Sequence, residues 1–346
     1  MTTWPDVVGR LMRRDDLEPG ETAWVMDQVL EDAAPPVSVA AFLAALRTKG
    51  ESVGEVTGLA EAMLRHANRI SVDGRSVDVV GTGGDGHHTV NFSTMAALVV
   101  AGTGITVVKH GNRAASSQCG AADVLAALGI ALDLTPERVA EVAAEVGITF
   151  CFAPVFHPSM RFAGPIRKEL AVPTVFNILG PLTNPAQPAA SAIGVASEAL
   201  APVVAGVLAG QGREGLVFRN TDGLDELAAT SHADVWEVRE GVVTHHRLDP
   251  VADLGLAPIT IANLVGGDAE ANAAVVRRIL AGEQGPIRDT VVLNAAAGLV
   301  ADGTHPGTGE GALVTRFRAG MEIASAAIAD GKAADALERW VAAAHA

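Results

Sequence analysis

Two hydrophobic rhythms divide the chain. In "VSVAAFLAALRTKG", Val39, Phe42, Leu43 and Leu46 fall at i, i+3, i+4 and i+7, the spacing of one helix face. Val56, Leu59, Ala60 and Met63 repeat it, and Ser52 with Glu55 three positions later forms a capping box that opens this next helix. No strand pattern interrupts the first seventy residues, so a small helical unit is expected there. From Val77 the rhythm changes. "VDVV" reads as a short buried strand, a glycine loop follows, and "STMAALVVAG" reads as a helix closed by Gly102. "ITVVKH" is a second strand, and "SQCGAADVLAALG" a second helix with Ala121, Val124, Leu125 and Leu128 on one face. Thr135 and Pro136 then supply a cap and a first-turn proline. Strand, loop, helix, repeated, is the rhythm of a parallel sheet covered by helices, and it resumes in "GLVF" and "DTVVLNAAAGLVAD". The expected fold class is α/β.

Composition narrows the function. With 49% apolar residues the 346-residue chain can build a large core, in one large or two unequal domains. A formal charge of −15 argues against general binding to nucleic acid or to an anionic membrane. A small anionic ligand remains compatible, because a site works through local charge. Two cysteines, Cys119 and Cys151, are too few for a disulfide framework or a cysteine zinc site, and point to the cytoplasm. The start "MTTWPDVVGRLMRRDD" does not read as a secretory signal, and the window "TMAALVVAGTGITVV" is too short and too broken by glycine for a membrane span.

The stretch "VVGTGGDGHHTVNFST" packs Gly81, Gly83, Gly84 and Gly86 into six positions between a strand and a helix. Ligands of open α/β sheets sit at such junctions, where helix N-termini offer unpaired N–H groups to anions. One glycine would serve a tight turn; four point to close approach of a ligand. Gly81, Gly83 and Gly86 satisfy G-x-G-x-x-G, but the acid that a dinucleotide site wants after the second strand is replaced by Lys109 and His110. A Walker loop needs lysine after its last glycine, and His87 stands there. The second strand runs into another exposed loop, "KHGNRAASSQCG", rich in cationic and hydroxyl side chains. Two donor-rich junctions at neighbouring strand ends suit a ligand with phosphate at two places and sugar between.

Four long motifs, "GTGGDGHHTVNFST", "KHGNRAASSQCGAADVLAALG", "FAPVFHPSMRFAGPIRKEL" and "PTVFNILGPLTNPA", closely resemble the anthranilate phosphoribosyltransferase family in order and spacing. The likeness is densest over residues 78–185 and continues through "DGLDEL", "GGDAEANAAVV" and "DTVVLNAA". It implies a small α-helical domain over residues 1–70, with 158–185 contributing helices. A larger α/β domain with a mostly parallel central sheet would hold 71–157 and 186–346, and the chain would pair as a homodimer. The implied reaction joins 5-phosphoribosyl 1-pyrophosphate to anthranilate with Mg²⁺, releasing pyrophosphate.

Matching positions put the phosphoribosyl donor on Gly81, Gly84, Asp85, Thr89, Asn91, Phe92, Ser93, Thr94, Lys109 and His110. The donor site continues through Gly111, Asn112, Arg113, Ala114, Ala115, Ser116, Ser117 and Ala121. Anthranilate would meet Gly81, His110, Asn112 and Arg167; the metal would meet Ser93, Asp225 and Glu226; His110 and Arg167 would serve the catalytic step. Pro173 departs from the family, where many members carry arginine, and residues 219–221 are an unusual run ahead of the acids.

The chemistry agrees with the resemblance. Displacing pyrophosphate from a ribose C1 needs positioning and charge stabilisation rather than a protein nucleophile. Magnesium reconciles a polyanionic donor with an acidic protein, and adjacent Asp225 and Glu226 suit it. Arg167 carries a planar fork matched to a carboxylate; the plainer role for it is a surface pair with Glu169. His110 is expected to position the amine, with general-base action the alternative. His87–His88 and His245–His246 lack ligand spacing and read as solvated, and Cys119 reads as packing. Two rivals remain on sequence: a pyrimidine nucleoside phosphorylase and a nucleic-acid-binding paralogue.

Overall fold

The computed structural model describes residues 2–114 and 118–346. Ala115, Ser116 and Ser117 lie outside the described residues.

Helices α1 (Trp4–Met12), α2 (Pro19–Leu30), α3 (Pro36–Lys49) and α4 (Val53–Arg65) open the chain. Val39, Phe42, Leu43 and Leu46 bury the face of α3 that their spacing defines, and Val56, Leu59, Ala60 and Met63 do so on α4. The Ser52–Glu55 capping box is present, with the Glu55 carboxylate accepting from the Ser52 amide at 2.9 Å. The same fully buried carboxylate also accepts from the Leu17 amide at 3.0 Å and Lys49 Nζ at 2.8 Å, so one cap fastens three segments together.

The sheet begins with β1 (Ser76–Gly81), α5 (Phe92–Gly102), β2 (Thr106–Gly111), α6 (Ala121–Leu128), α7 (Pro136–Val146) and β3 (Ile148–Phe152). Short α8 (Ala153–Phe156), α9 (Gly164–Leu170) and α10 (Phe176–Leu182) follow, then β4 (Ala190–Gly194), α11 (Ala201–Gly210) and β5 (Glu214–Asn220). An antiparallel hairpin, β6 (Ala233–Arg239) and β7 (Val242–Leu248), precedes α12 (Ala269–Leu280), α13 (Pro286–Asp302), α14 (Leu313–Ala329) and α15 (Lys332–Ala344). Spatial order is β3-β2-β1-β4-β5-β6-β7, parallel from β3 through β5. The chain steps outward from β1 through β2 to β3, and β4 returns on the other side of β1. That reversal opens a crevice at the C-terminal ends of these strands, where ligands of such sheets bind.

Strand alternation assigns side chains to two cores. Val77 and Val79 pack with α5, α6 and α12–α15, whereas Val80 packs with α1–α4, α10 and α11. Ala163, Val175, Phe176, Ile178, Leu179 and Leu182 share that second core with the N-terminal helices. Thr135 caps α7 as its sequence indicates, accepting from the Arg138 amide at 3.3 Å.

Three details refine the sequence reading. Helix α5 ends at Gly102 as expected, and a Cβ on this last helical residue would lie 2.8 Å from the Ala333 nitrogen. It is small because α15 starts against it. On α6 the buried alanine is Ala122, with Ala121 only half-buried at the helix start. "DTVVLNAAAGLVAD", read as part of the resumed strand and helix rhythm, belongs wholly to the buried helix α13, as its fourteen-residue length favours.

Candidate functional site

The glycine turn owes its composition to two causes. Gly83, Gly84 and Gly86 have φ of +66°, +82° and +76°, with open space where a side chain would stand. Gly81 does not; a Cβ there would lie 2.3 Å from Asp225 Oδ2. Its partner in the β1–β4 register, Gly194, would place a Cβ 1.6 Å from the Asp225 carbonyl oxygen. The acidic turn after β5 therefore rests on bare backbone at the switch point. Asp225 Oδ2 accepts from the Gly83 amide at 2.7 Å.

Two buried asparagines hold the acidic turn. Asn220 donates to the Ala228 carbonyl at 2.7 Å, and Asn294 on α13 donates to the Leu227 carbonyl at 2.8 Å. Residues 219–221, unusual on sequence, thus include a structural clamp. Arg219 beside it is buried, 3.8 Å from Glu198.

One carboxylate oxygen from each of Asp85, Asp225 and Glu226 lies within 4.8 Å of the others. Burial raises the Asp225 and Glu226 carboxyls above the usual range, and repulsion from the neighbouring acids adds to it. Asp85 Oδ2 and Glu226 Oε2 are buried without a hydrogen-bond partner. An all-oxygen set under mutual repulsion, with open acceptor positions, fits a hard divalent cation. Ser93, implied beside Asp225 and Glu226, lines the same cavity, and its hydroxyl accepts from Lys109 Nζ at 3.1 Å. Asp85 joins the acids as a third member, a place the sequence motif, which ties it to the sugar donor alone, does not indicate.

Alternation along β2 sends adjacent side chains to opposite sides. Lys109, 1% exposed, reaches α5 and donates to the Val79 carbonyl at 2.6 Å. Burial lowers its pKa to about 8, with Asp78 opposing the shift, so the ammonium persists at neutral pH. His110 faces α10, where its Nδ1–H donates to the Gly180 carbonyl at 2.9 Å. Burial, then the neighbouring His157, lowers its pKa to about 3. The ring is neutral, and Nε2 is a buried acceptor without a partner.

Two cavities meet at this edge. The first, about 320 Å³, is lined by both loops and the acids, including Gly81, Gly84, Asp85, Thr89, Asn91, Ser93, Lys109, Asn112, Arg113, Ala114 and Ala121. Phe92 borders it from the first turn of α5, but its side chain is wholly buried in the core. Thr94 is buried behind it and is not part of the wall. The second cavity, about 680 Å³, lies between β2, α10 and α8–α9 and contains Arg167, His157, Met63, Met160 and Phe176. Gly81, His110, Gly111 and Asn112 border both.

Arg167 does not form the surface pair that was its plainer alternative. Among the described residues no acid pairs with it, and its guanidinium lies 5.1 Å from the Phe176 ring centre. Burial lowers its pKa. His245 and His246 are not simply solvated either: they lie 3.0 Å from Asp234 and 3.3 Å from Glu237. Pro173 is exposed ahead of α10.

Known proteins are similar to this chain in sequence and fold. Residues 73–334 match the model described as "Glycosyl transferase family, a/b domain", and 5–67 match its helical bundle domain. Anthranilate phosphoribosyltransferase from Arthrobacter sp. (strain FB24) is 57% identical over 98% of this chain and 96% of its own. The chain belongs to the anthranilate phosphoribosyltransferase family. The Streptomyces griseus member is 55% identical over 99% of this chain and 96% of its own. Among solved family structures, that from Thermus thermophilus superposes with a TM-score of 0.90 at 42% identity, covering 99% of this chain and 100% of its own. That from Saccharomyces cerevisiae in complex with PRPP and Mg gives 0.87 at 27% identity, covering 99% and 98%.

Sequence reasoning missed His157, whose Nε2–H donates to the Thr183 carbonyl at 3.0 Å and whose pKa burial lowers to about 4. It also missed Asp123, which accepts from the Ala114 and Gly120 amides, each at 2.9 Å, and so clamps both ends of the second loop. The Asp at the third position of α6 was the available signal for the latter.

Proposed function

We propose that this chain transfers the 5-phosphoribosyl group from 5-phosphoribosyl 1-pyrophosphate to the amine of anthranilate, releasing pyrophosphate. The observation that carries this is the shared wall of Gly81, His110, Gly111 and Asn112 between an acid- and lysine-lined cavity and one containing Arg167. The smaller cavity takes the donor, with the glycine turn, the start of α5 and Lys109 supplying donors to its phosphates. Asp85, Asp225, Glu226 and Ser93 would hold Mg²⁺, which when bound would supply positive charge to the phosphates. The larger cavity takes anthranilate, its carboxylate on the Arg167 fork and its ring against the apolar wall. The amine lone pair forms the new bond to C1 as the C1–O bond to pyrophosphate breaks, and the surplus amine proton passes to water or the departing pyrophosphate. Neutral His110 offers Nε2 to an amine hydrogen and so orients the attack. The nucleoside phosphorylase and nucleic-acid-binding alternatives are not favoured, because relatives at 55–57% identity over the whole chain are transferases by name.

The division proposed is a helical domain of 1–70 with 158–185, and an α/β domain of 71–157 and 186–346; the core shared by α10 and the N-terminal helices supports it. The reading includes a cytoplasmic homodimer. Two buried cysteines suit a reducing compartment, and no described helix is long and apolar enough to cross a membrane. Sedimentation at a single-chain mass would remove the dimer. The activity itself is tested by loss of anthranilate fluorescence on adding the donor with Mg²⁺; steady fluorescence would remove the transferase reading.

A further inference from the structure

Behind the smaller cavity runs a relay of two side-chain amides whose ends are both backbone groups. The Gly267 amide donates to Asn272 Oδ1 at 2.8 Å. Asn272 Nδ2 donates to Asn91 Oδ1 at 2.9 Å, and Asn91 Nδ2 donates to the Cys119 carbonyl at 3.2 Å. A backbone N–H can only donate and a carbonyl can only accept, so the orientation of both amides is fixed from both ends. The Cys119 thiol adds a second donor to Asn91 Oδ1 at 3.3 Å.

The surrounding backbone is shaped to this relay. A Cβ on Gly266 would lie 2.7 Å from Asn272 Oδ1 and 3.1 Å from the Val90 Cα, so only glycine lets the segment pass between them. That segment pairs with the end of the glycine turn: the Val90 amide donates to Leu264, and the Gly266 amide to His88, at 3.0 and 2.9 Å. Asn272 itself is 2% exposed and does not border the cavity, whereas Asn91 does. A side-chain amide carries two N–H bonds, and the relay uses one of those on Asn91.

We propose that Asn272 is a positioning residue for the sugar donor: it locks the Asn91 amide so that its second N–H, rather than its oxygen, is presented to the anionic ligand. The inference rests on the transferase reading. If Asn272 is removed, Asn91 Oδ1 loses its amide donor and only the Cys119 carbonyl and thiol still hold the group, so the amide loosens and its second N–H is no longer fixed towards the polyanion, which weakens donor binding without touching the anthranilate side.

The test is steady-state kinetics of the parent, Asn272→Ala and Asn272→Asp at saturating Mg²⁺, with a thermal midpoint for each. The expected result is a donor KM raised about tenfold in the alanine variant, the scale of one hydrogen bond to a charged group. The aspartate, whose carboxylate sets an acceptor oxygen against Asn91 Oδ1, raises it further, and the anthranilate KM stays within about twofold of the parent in both. An unchanged donor KM in folded variants overturns the inference. So does a parallel rise in both KM values that tracks a lowered melting point, and so does failure of every substitution at 272 to fold, because each assigns Asn272 to structure alone. A parent that turns over neither substrate removes the transferase reading, and this inference with it.

Discussion

Asp225 Oδ2 accepts a hydrogen bond from the Gly83 amide at 2.7 Å, joining the glycine turn to an acid 142 residues further along the chain. Gly81 makes room for that carboxylate, so Gly81→Ala sets a methyl group against Asp225. The expected cost is about 1–3 kcal/mol of stability. Weakened Mg²⁺-dependent donor binding accompanies it. Chemical denaturation and calorimetry check the two effects, and an alanine variant of parent stability would show that the turn yields freely.

Asp225→Asn keeps an acceptor for the Gly83 amide while removing one of three crowded negative charges. Burial and the neighbouring acids raise the Asp225 pKa, so its ionised form destabilises the metal-free fold. The variant is therefore expected to melt higher than the parent without Mg²⁺, to gain nothing when Mg²⁺ is added, and to lose activity by on the order of 10²-fold. Differential scanning fluorimetry with a magnesium series reads the first two outcomes.

Arg167→Lys retains the charge but loses the planar fork and its stacking over Phe176. The anthranilate KM is expected to rise about tenfold, or ~1.4 kcal/mol. The donor KM stays near the parent value. Initial rates with each substrate varied in turn separate the two.

His110 has a folded pKa of about 3 against an ordinary 6.5, chiefly through burial. It is therefore neutral at every pH where the enzyme would work, and kcat at saturating Mg²⁺ is expected to show no histidine inflection between about pH 5 and pH 7. The stability effect has a definite sign. As pH falls through 6.5 the unfolded chain binds a proton that the folded ring refuses, so stability drops progressively from there down to about 3. His110→Gln is expected to flatten part of that acid slope. An inflection near neutrality that vanishes in His110→Ala would instead make it a general base.

Much of the fold was legible because local signals agreed with one another. Leu43, Leu46 and Leu59 sit where periodicity put them, and Ser52 and Glu55 make the box their spacing indicates. Gly102 shows the limit: a glycine at a helix end is the same letter whether it turns the chain or admits α15. The candidate site divides in the same way. Lys109 and His110 are adjacent in sequence, and alternation on β2 alone parts them into two environments. Asp85 joining Asp225, and Asn272 holding Asn91, depend on contacts across more than a hundred residues, which no local pattern encodes. For Phe92 and Thr94, motif matching conveys which segment approaches a ligand but not which side chains turn inward to the core.

Titration calorimetry of the phosphoribosyl donor, with and without Mg²⁺, tests the central claim most directly. Saturable binding that depends on magnesium, and that Glu226→Gln weakens, is the expected result. Absence of donor binding at saturating Mg²⁺ would contradict it.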